Sequence, residues 1–307
     1  MKEIFHFIII IFLGFLQASG QVTGITVETY YSGGATPSVT NYPANHNTYR
    51  IYANTVLATD RVTTVSGDML TPLSLSVSGS GIWNYQVGGA TGDAASCLIY
   101  ASQPLSEYDS YMTIGVSCNN DGASNPIYRA EDASQPWQNQ AFSTAPHGNG
   151  DFVVNSAQGA AWFALTDNPN CAAGADLKVL LAQITTDGDI CGTFNLQVFP
   201  NYAGAGSAMV QQTFAFASNA VCVPGCTDPA ATNFNPSATY DNGLCLFPCS
   251  LAITSYQIID DCVAEDEGAI VLNLSGNQSF LSYSVNGVDY GLTDNYNTPQ
   301  ILDQRFS

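Results

Sequence analysis

The chain has 307 residues, 46% of them hydrophobic, with 25 Asp and Glu against 6 Lys and Arg and a formal net charge of -19. That length holds two or three domains with cores of their own. The acidic excess repels a phosphate backbone and an anionic membrane surface, so nucleic-acid binding is excluded and cations become the natural counter-ligands.

Residues 1–20 read as a signal peptide. Lys2 gives a short positive start, Ile4 to Leu16 an apolar run too short for a membrane span, and Ala18-Ser19-Gly20 a small-residue cleavage site before Gln21. No later apolar run reaches transmembrane length, so no integral membrane segment is expected after cleavage. The expected location is secreted or outer cell surface.

Residues 21–218 are expected to form one β-sandwich-like or jelly-roll-like domain. TYRIYA, RVTTVSG, LSLSVSG, YMTIGVSC, DFVVN, KVLLAQITT and TFNLQVFP are short runs rich in Val, Ile, Thr, Tyr and Phe, separated by Gly, Asn, Asp and Pro. KVLLAQITTDGDICGTFNLQVF predicts a hairpin turning at Asp187-Gly188. AEDASQPWQNQAF supports at most one short helix, and long helical periodicity is absent. Alternating strands and Gly-rich turns give the fold class, all-β.

Nine cysteines follow the leader. In an exported chain they are expected to be mostly disulfides. Three neighbouring pairs have similar separations: Cys97-Cys118, Cys171-Cys191 and Cys226-Cys245. Each such loop closure contributes roughly 3 kcal/mol in the chain-entropy picture. Cys249-Cys262 or Cys222-Cys249 is the further candidate, and an odd count leaves one thiol over. Zinc is a poor alternative, because there is no C-x-x-C and only His46 and His147 follow the leader.

Residues 222–248 are a Cys-rich stretch expected to act as a linker. Asp228 and Asp241 offer carboxylates, and Asn233, Asn235 and Asn242 offer carbonyl oxygens. Two readings stand: these oxygens bind calcium, which takes about six to eight of them, or they make Asx-turns that shape a disulfide-closed loop. NNDG from Asn119 and TTDGD from Thr185 read as turns. Residues 249–307 alternate again in LAITSYQII, GAIVLNLSG and LSYSVNGVDYG, and read as a β-domain. A small β-sandwich needs about 80 to 100 residues, so this third domain is expected to be truncated.

Catalytic motifs are weak. A Ser-His-Asp triad would need His46 or His147, and no G-x-S-x-G occurs. Glu131-Asp132, near Tyr128 and Trp137, is the one acidic pair in aromatic company, and reads as a glycosidase pair or a solvated helix start. Trp83, Trp137 and Trp162 read as a sugar platform or as core. Not an enzyme is the expectation.

Three resemblances add to this. Residues 22–217 are similar to a module of exported proteins of marine bacteria, carried by TYRIYA with DRVTTVSGD, YDSYMTIGV and LLAQITTDGDICGTFNLQVFP in that order. Gly225-Cys226-Thr227-Asp228-Pro229, Asn233-Phe234-Asn235-Pro236, Asp241-Asn242-Gly243 and Cys245 resemble a repeat of secreted Bacteroidetes surface proteins, G-C-T-D-P-x-A-x-N-Y-N-P-x-A-x-x-D-D-G-S-C, itself likened to thrombospondin type 3 repeats. Phe234, Asn242 and Leu244 depart from it. Residues 249–307 resemble, through Cys249, Cys262, GAIVLNLSG and YSVNG, the immunoglobulin-like repeats of gliding-motility adhesins. These resemblances imply a modular adhesion protein with surface glycans or proteins as partners. The alternative is a carbohydrate-binding module of a larger extracellular polysaccharide-degrading enzyme.

Overall fold

A computed structural model describes residues 22–85, 90–94, 96–119, 126–142, 147–148, 151–219, 222–247, 252–259, 269–275, 281–285, 288–293 and 300–303. The expected leader and the Cys249-Cys262 pairing lie outside them. The chain divides into two compact units, one holding residues up to Pro229 with Phe234–Cys245, the other Ala230–Asn233 with Leu246–Ser307.

The first unit is all-β. Its strands are β1 (Val22–Ser32), β2 (Asn47–Thr55), β3 (Arg61–Gly67), β4 (Leu73–Val77), β5 (Ile82–Trp83), β6 (Tyr111–Met112), β7 (Tyr128–Ala130), β8 (His147–Gly148), β9 (Phe152–Val154), β10 (Ala160–Phe163), β11 (Lys178–Thr186), β12 (Ile190–Phe199) and β13 (Val210–Ala217). One sheet runs β1-β2-β11-β5-β8 with β6 also on β11; the other runs β7-β10-β3-β12-β4-β9 with β13 on β12. Among the described residues helix is confined to short 3-10 turns and to α1 (Trp137–Ala141).

Alternation places the core between the sheets. From the first sheet come Ile51, Ala53, Val179, Leu181 and Ile184; from the second come Val62, Val65, Leu75, Phe194 and Leu196. Trp162 spans the gap, donating its Nε1–H to the Leu181 carbonyl at 3.3 Å. Rings continue through it from Trp137 (centroids 5.4 Å apart) to Phe194 (5.3 Å), and on to Phe216. Trp83, Trp137 and Trp162 are 8%, 0% and 1% exposed, so the sugar-platform reading of these residues is corrected: they are core.

The predicted hairpin at Asp187-Gly188 does not form. β11 and β12 lie in different sheets, so the DG pair turns an arch between them. The reason is packing. β11 is buried on both faces over nearly its whole length, and pairs with β2, β5 and β6 instead. The arch is pinned by the 78–80 segment: Asp187 Oδ1 accepts from Ser80 N at 2.7 Å, and a Cβ on Gly188 would meet Ser78 O at 2.1 Å.

Disulfides join Cys97 to Cys118, Cys226 to Cys245 and Cys191 to Cys222. The last corrects two expectations, Cys171-Cys191 and Cys222-Cys249. Cys171 follows Asn168-Pro169 in a single 3-10 turn and points into the core, where it is fully buried and free. Burial pushes its thiol pKa up to about 12, with Arg61 partly offsetting this, so it is inert as a nucleophile.

Of the residues expected to act as a linker, those up to Pro229 and Phe234–Cys245 belong to this first unit. Two-residue strands β14 (Pro224–Gly225) and β15 (Tyr240–Asp241) pair in parallel across the base of the loop that Cys226–Cys245 closes. Tyr240 is 3% exposed and donates its hydroxyl to the Gly192 carbonyl of β12 at 3.1 Å. Gly243 has φ +77, and a Cβ there would lie 2.8 Å from Pro72 and 2.9 Å from Val153, so the repeat's DNG turn sits directly on β4 and β9.

The second unit contains β16 (Ala252–Ile259), β17 (Ala269–Ser275) and β20 (Gln300–Asp303) in a three-stranded antiparallel sheet, and an antiparallel pair of β18 (Leu281–Val285) with β19 (Val288–Thr293).

Candidate functional site: a polar groove on the outer sheet face

On β2, Tyr49, Ile51, Ala53 and Thr55 face the core, which turns Arg50, Tyr52 and Asn54 outward. Register then builds one row across four strands: Glu28 of β1 opposite Arg50, Arg50 opposite Gln183 of β11, and Gln183 opposite Tyr111 of β6. Arg50 Nε donates to Gln183 Oε1 at 2.8 Å, and its guanidinium lies 3.5 Å from the centroid of the Tyr30 ring. Lys178 donates to Glu28 across β2 and stands 5.5 Å from the Tyr52 ring.

The far wall is the excursion between β5 and β6 and beyond, stapled by Cys97–Cys118. A bulge between Leu180 and Ala182 frees carbonyls of β11: Thr113 N donates to Leu181 O at 2.9 Å, and Gly115 N to Leu180 O at 2.7 Å. Gly115 has φ +71, and a Cβ there would lie 1.8 Å from the Asn170 carbonyl, so only glycine lets the wall approach this closely. Gln183 Nε2 donates to the carbonyls of Glu107 (3.0 Å) and Asp109 (2.8 Å), and Tyr30 donates to Glu107. The result is a groove of 480 Å³ lined by Glu28, Arg50, Tyr52, Ser117, Asp176 and Lys178, with Gly115 and Leu180. That volume is in the range of small-molecule sites, and the lining is polar, with Tyr52 as its aromatic side chain.

Burial raises the pKa values of several tyrosines of the first unit. Tyr30 is pushed up to about 12 by burial and by its bond to Glu107, against Arg50; Tyr42 and Tyr100 are pushed up to about 12 by burial; Tyr111 is pushed well above the ordinary phenol range by burial. The unfolded chain ionises these phenols near about 10. The stability linked to the neutral phenols is therefore complete below pH 10 and lost as pH rises through about 12. In an alkaline titration, phenolate absorbance from this set should appear only together with loss of the folded signal. A reversible ionisation of all tyrosines near pH 10 in the folded protein would contradict it.

The candidate calcium residues of the repeat make contacts to the backbone. Asp241 Oδ1 accepts from Gly243 N (2.8 Å), Asn242 Oδ1 from Leu244 N (3.1 Å) and Asn235 Oδ1 from Ser237 N (3.0 Å), each an Asx-turn. Asn233 Oδ1 accepts from Leu246 N at 2.7 Å. Asp228 stands half-buried in the CTDP turn. Among the described residues no three His, Cys, Asp or Glu side chains are placed to hold a metal together. One oxygen of each of Asp241, Asn242, Asn235 and Asn233 is thus engaged by a backbone N–H, the turn-shaping alternative of the two readings of this loop. Chelator should therefore leave the thermal midpoint of the oxidised protein unchanged within about 1 °C; a drop of about 5 °C, on the scale of a lost kcal/mol or two, would restore the calcium reading.

Glu131 and Asp132 also serve the backbone: Glu131 Oε1 accepts from Gln138 N at 3.0 Å at the start of α1, and Asp132 Oδ1 accepts from Ser134 N and Oγ, both at 2.8 Å. His46 is 7% exposed with Nδ1 2.9 Å from the Ala44 carbonyl, while the His147 side chain and most of the NNDG turn lie outside the described residues. In the TTDGD turn, Gly188 N donates to Thr186 Oγ1 at 3.1 Å. No helix among the described residues is long and apolar enough to cross a membrane. No family model matches the chain, and no curated protein matches it.

Proposed function

We propose that the chain is a secreted or surface-displayed modular adhesion protein without catalytic activity, of the Bacteroidetes adhesin type that its repeat resembles. The observation carrying this reading is three disulfides in the first unit: Cys97–Cys118 within the sandwich, Cys191–Cys222 tying the start of the repeat to β12, and Cys226–Cys245 closing the repeat on itself. Disulfides of this kind persist in oxidising surroundings. A stapled sandwich with the repeat seated on it is a stiff spacer able to hold a binding face away from a cell. Glu131 accepts from the backbone at the start of α1, Asp132 accepts from the turn at Ser134, and His46 Nδ1 lies at hydrogen-bond distance from the Ala44 carbonyl. Production with its own leader in a diderm bacterium tests the reading: N-terminal sequencing of protein recovered outside the inner membrane should begin at Gln21, and cells or beads displaying it should adhere to extracellular material. Retention in the cytoplasm with its thiols reduced would sink it.

A second reading, a carbohydrate-binding module of a larger extracellular enzyme, is favoured by the groove. Charged and hydroxyl side chains beside the half-buried Tyr52 ring match the way a sugar is held, with polar edges hydrogen-bonded and an apolar ring face stacked.

A further inference from the structure

Arg50 is unusual in this protein. A half-buried guanidinium in a chain with 25 acidic residues is expected to have a carboxylate partner, because a buried unpaired charge is costly. Among the described residues no carboxylate lies within ion-pair distance of it; the ion pair in the groove is Lys178 with Glu28. Arg50 is nonetheless fixed in place, by Gln183 on its Nε and by the Tyr30 ring against its face. A rigid guanidinium lining a groove presents a ready fork for a planar anion.

A second observation points the same way. Two strands along the same row, Tyr111 is 1% exposed and its hydroxyl has no partner among the described residues. Arg50 is near enough to favour its ionised form, against the larger effect of burial. Arg50, which also hydrogen-bonds Tyr52, lines the groove itself, while the unpartnered Tyr111 hydroxyl is buried two strands away along the same row, outside the lining.

We propose that the groove binds a saccharide bearing a carboxylate, a uronic-acid unit, with the carboxylate on Arg50, the sugar face on Tyr52, and the hydroxyls on Asp176, Ser117 and Glu28. This rests on the carbohydrate-binding reading above. A carboxylate suits the site better than a phosphate. The two carboxylates in the lining, within a chain of net charge -19, oppose a ligand of dense negative charge but accept hydrogen bonds from hydroxyls. A single delocalised charge next to many hydroxyls answers both halves of the lining.

Calorimetric titration of the full oxidised chain with trigalacturonate, its methyl ester and cellotriose tests this. The expected result is binding of the acid at least tenfold tighter than of the ester or the neutral sugar. Arg50→Gln should weaken it by a further tenfold or more, with Arg129→Gln, on β7, silent. Equal binding of acid, ester and cellotriose would overturn the uronate assignment and leave a neutral-sugar module. No binding of any of the three, with the wild-type chain folded, would overturn both the assignment and the carbohydrate-binding reading. If Arg50→Gln does not fold, the comparison of acid with ester on the wild-type chain decides alone.

Discussion

Trp162→Ala is expected to destabilise the first unit by about 3–5 kcal/mol, a fall in thermal midpoint of roughly 10 °C. Trp162 is 1% exposed and sits between the sheets, against Trp137 on one side and Phe194 on the other. Removing the indole leaves a cavity that neither sheet can close without losing strand register. It also leaves the Leu181 carbonyl without its indole donor. That carbonyl accepts from Thr113 N as well, so the loss should spread to the wall of the groove. Denaturant unfolding followed by Trp fluorescence and circular dichroism measures the effect. A loss under about 1 kcal/mol would mean that Trp162 is not a core residue of both sheets.

The second large effect is expected from Cys191→Ser with Cys222→Ser. The two cysteines are 31 residues apart, and a loop of that size contributes roughly 3–4 kcal/mol in the chain-entropy picture. The bond fastens the start of the repeat to β12, next to the Gly192 carbonyl that holds Tyr240. Breaking it should also raise proteolytic susceptibility around residues 222–245, because the seat of Tyr240 and Gly243 then holds alone. Cys171→Ala should behave differently. It removes one buried thiol and no cross-link, so a cost of about 1 kcal/mol is expected, within the range of ordinary point substitutions. Equal, large losses from Cys171→Ala and from the double substitution would indicate that Cys171 and Cys191 are partners.

Fold class was legible because the strand signal is local. RVTTVSG is β3 residue for residue, KVLLAQITT is β11, and TYRIYA lies within β2. Pairing was less legible. β1 and β13, VTGITVETYYS and VQQTFAFA, carry enough Gly, Gln and exposed positions to blur the apolar alternation. The DG pair carries a hairpin signal, yet the arch wins because β11 and β12 are each central strands and need partners on both edges. Equal spacing suggested Cys171 with Cys191. What decides is that the 3-10 turn at Pro169 sends Cys171 into the core, while β12 brings Cys191 to the edge where residue 222 arrives.

The groove was nearly invisible in the sequence. Its lining comes from positions 28, 50, 52, 115, 117, 176, 178 and 180, on three strands, an excursion and a loop. One signal existed: in TYRIYA, a scarce cation at an outward position alternates with tyrosine, in a chain with only 6 Lys and Arg. That period of two placed Arg50 on the solvent face. Which strands flank it, and that no carboxylate meets it, depend on register, which local sequence does not encode. The repeat was the reverse case. Its motif was plain, but its docking depends on Tyr240 and Gly243 meeting Gly192, Pro72 and Val153, residues at least 48 positions away.

Non-reducing peptide mapping of protein recovered from outside the cell tests most directly whether the repeat is bolted to the sandwich in an oxidised, exported unit. The expected result is one peptide joining Cys191 to Cys222, one joining Cys226 to Cys245, and Cys171 as a thiol that alkylates only after denaturation. A peptide joining Cys171 to Cys191, with Cys222 bound elsewhere or free, would contradict it.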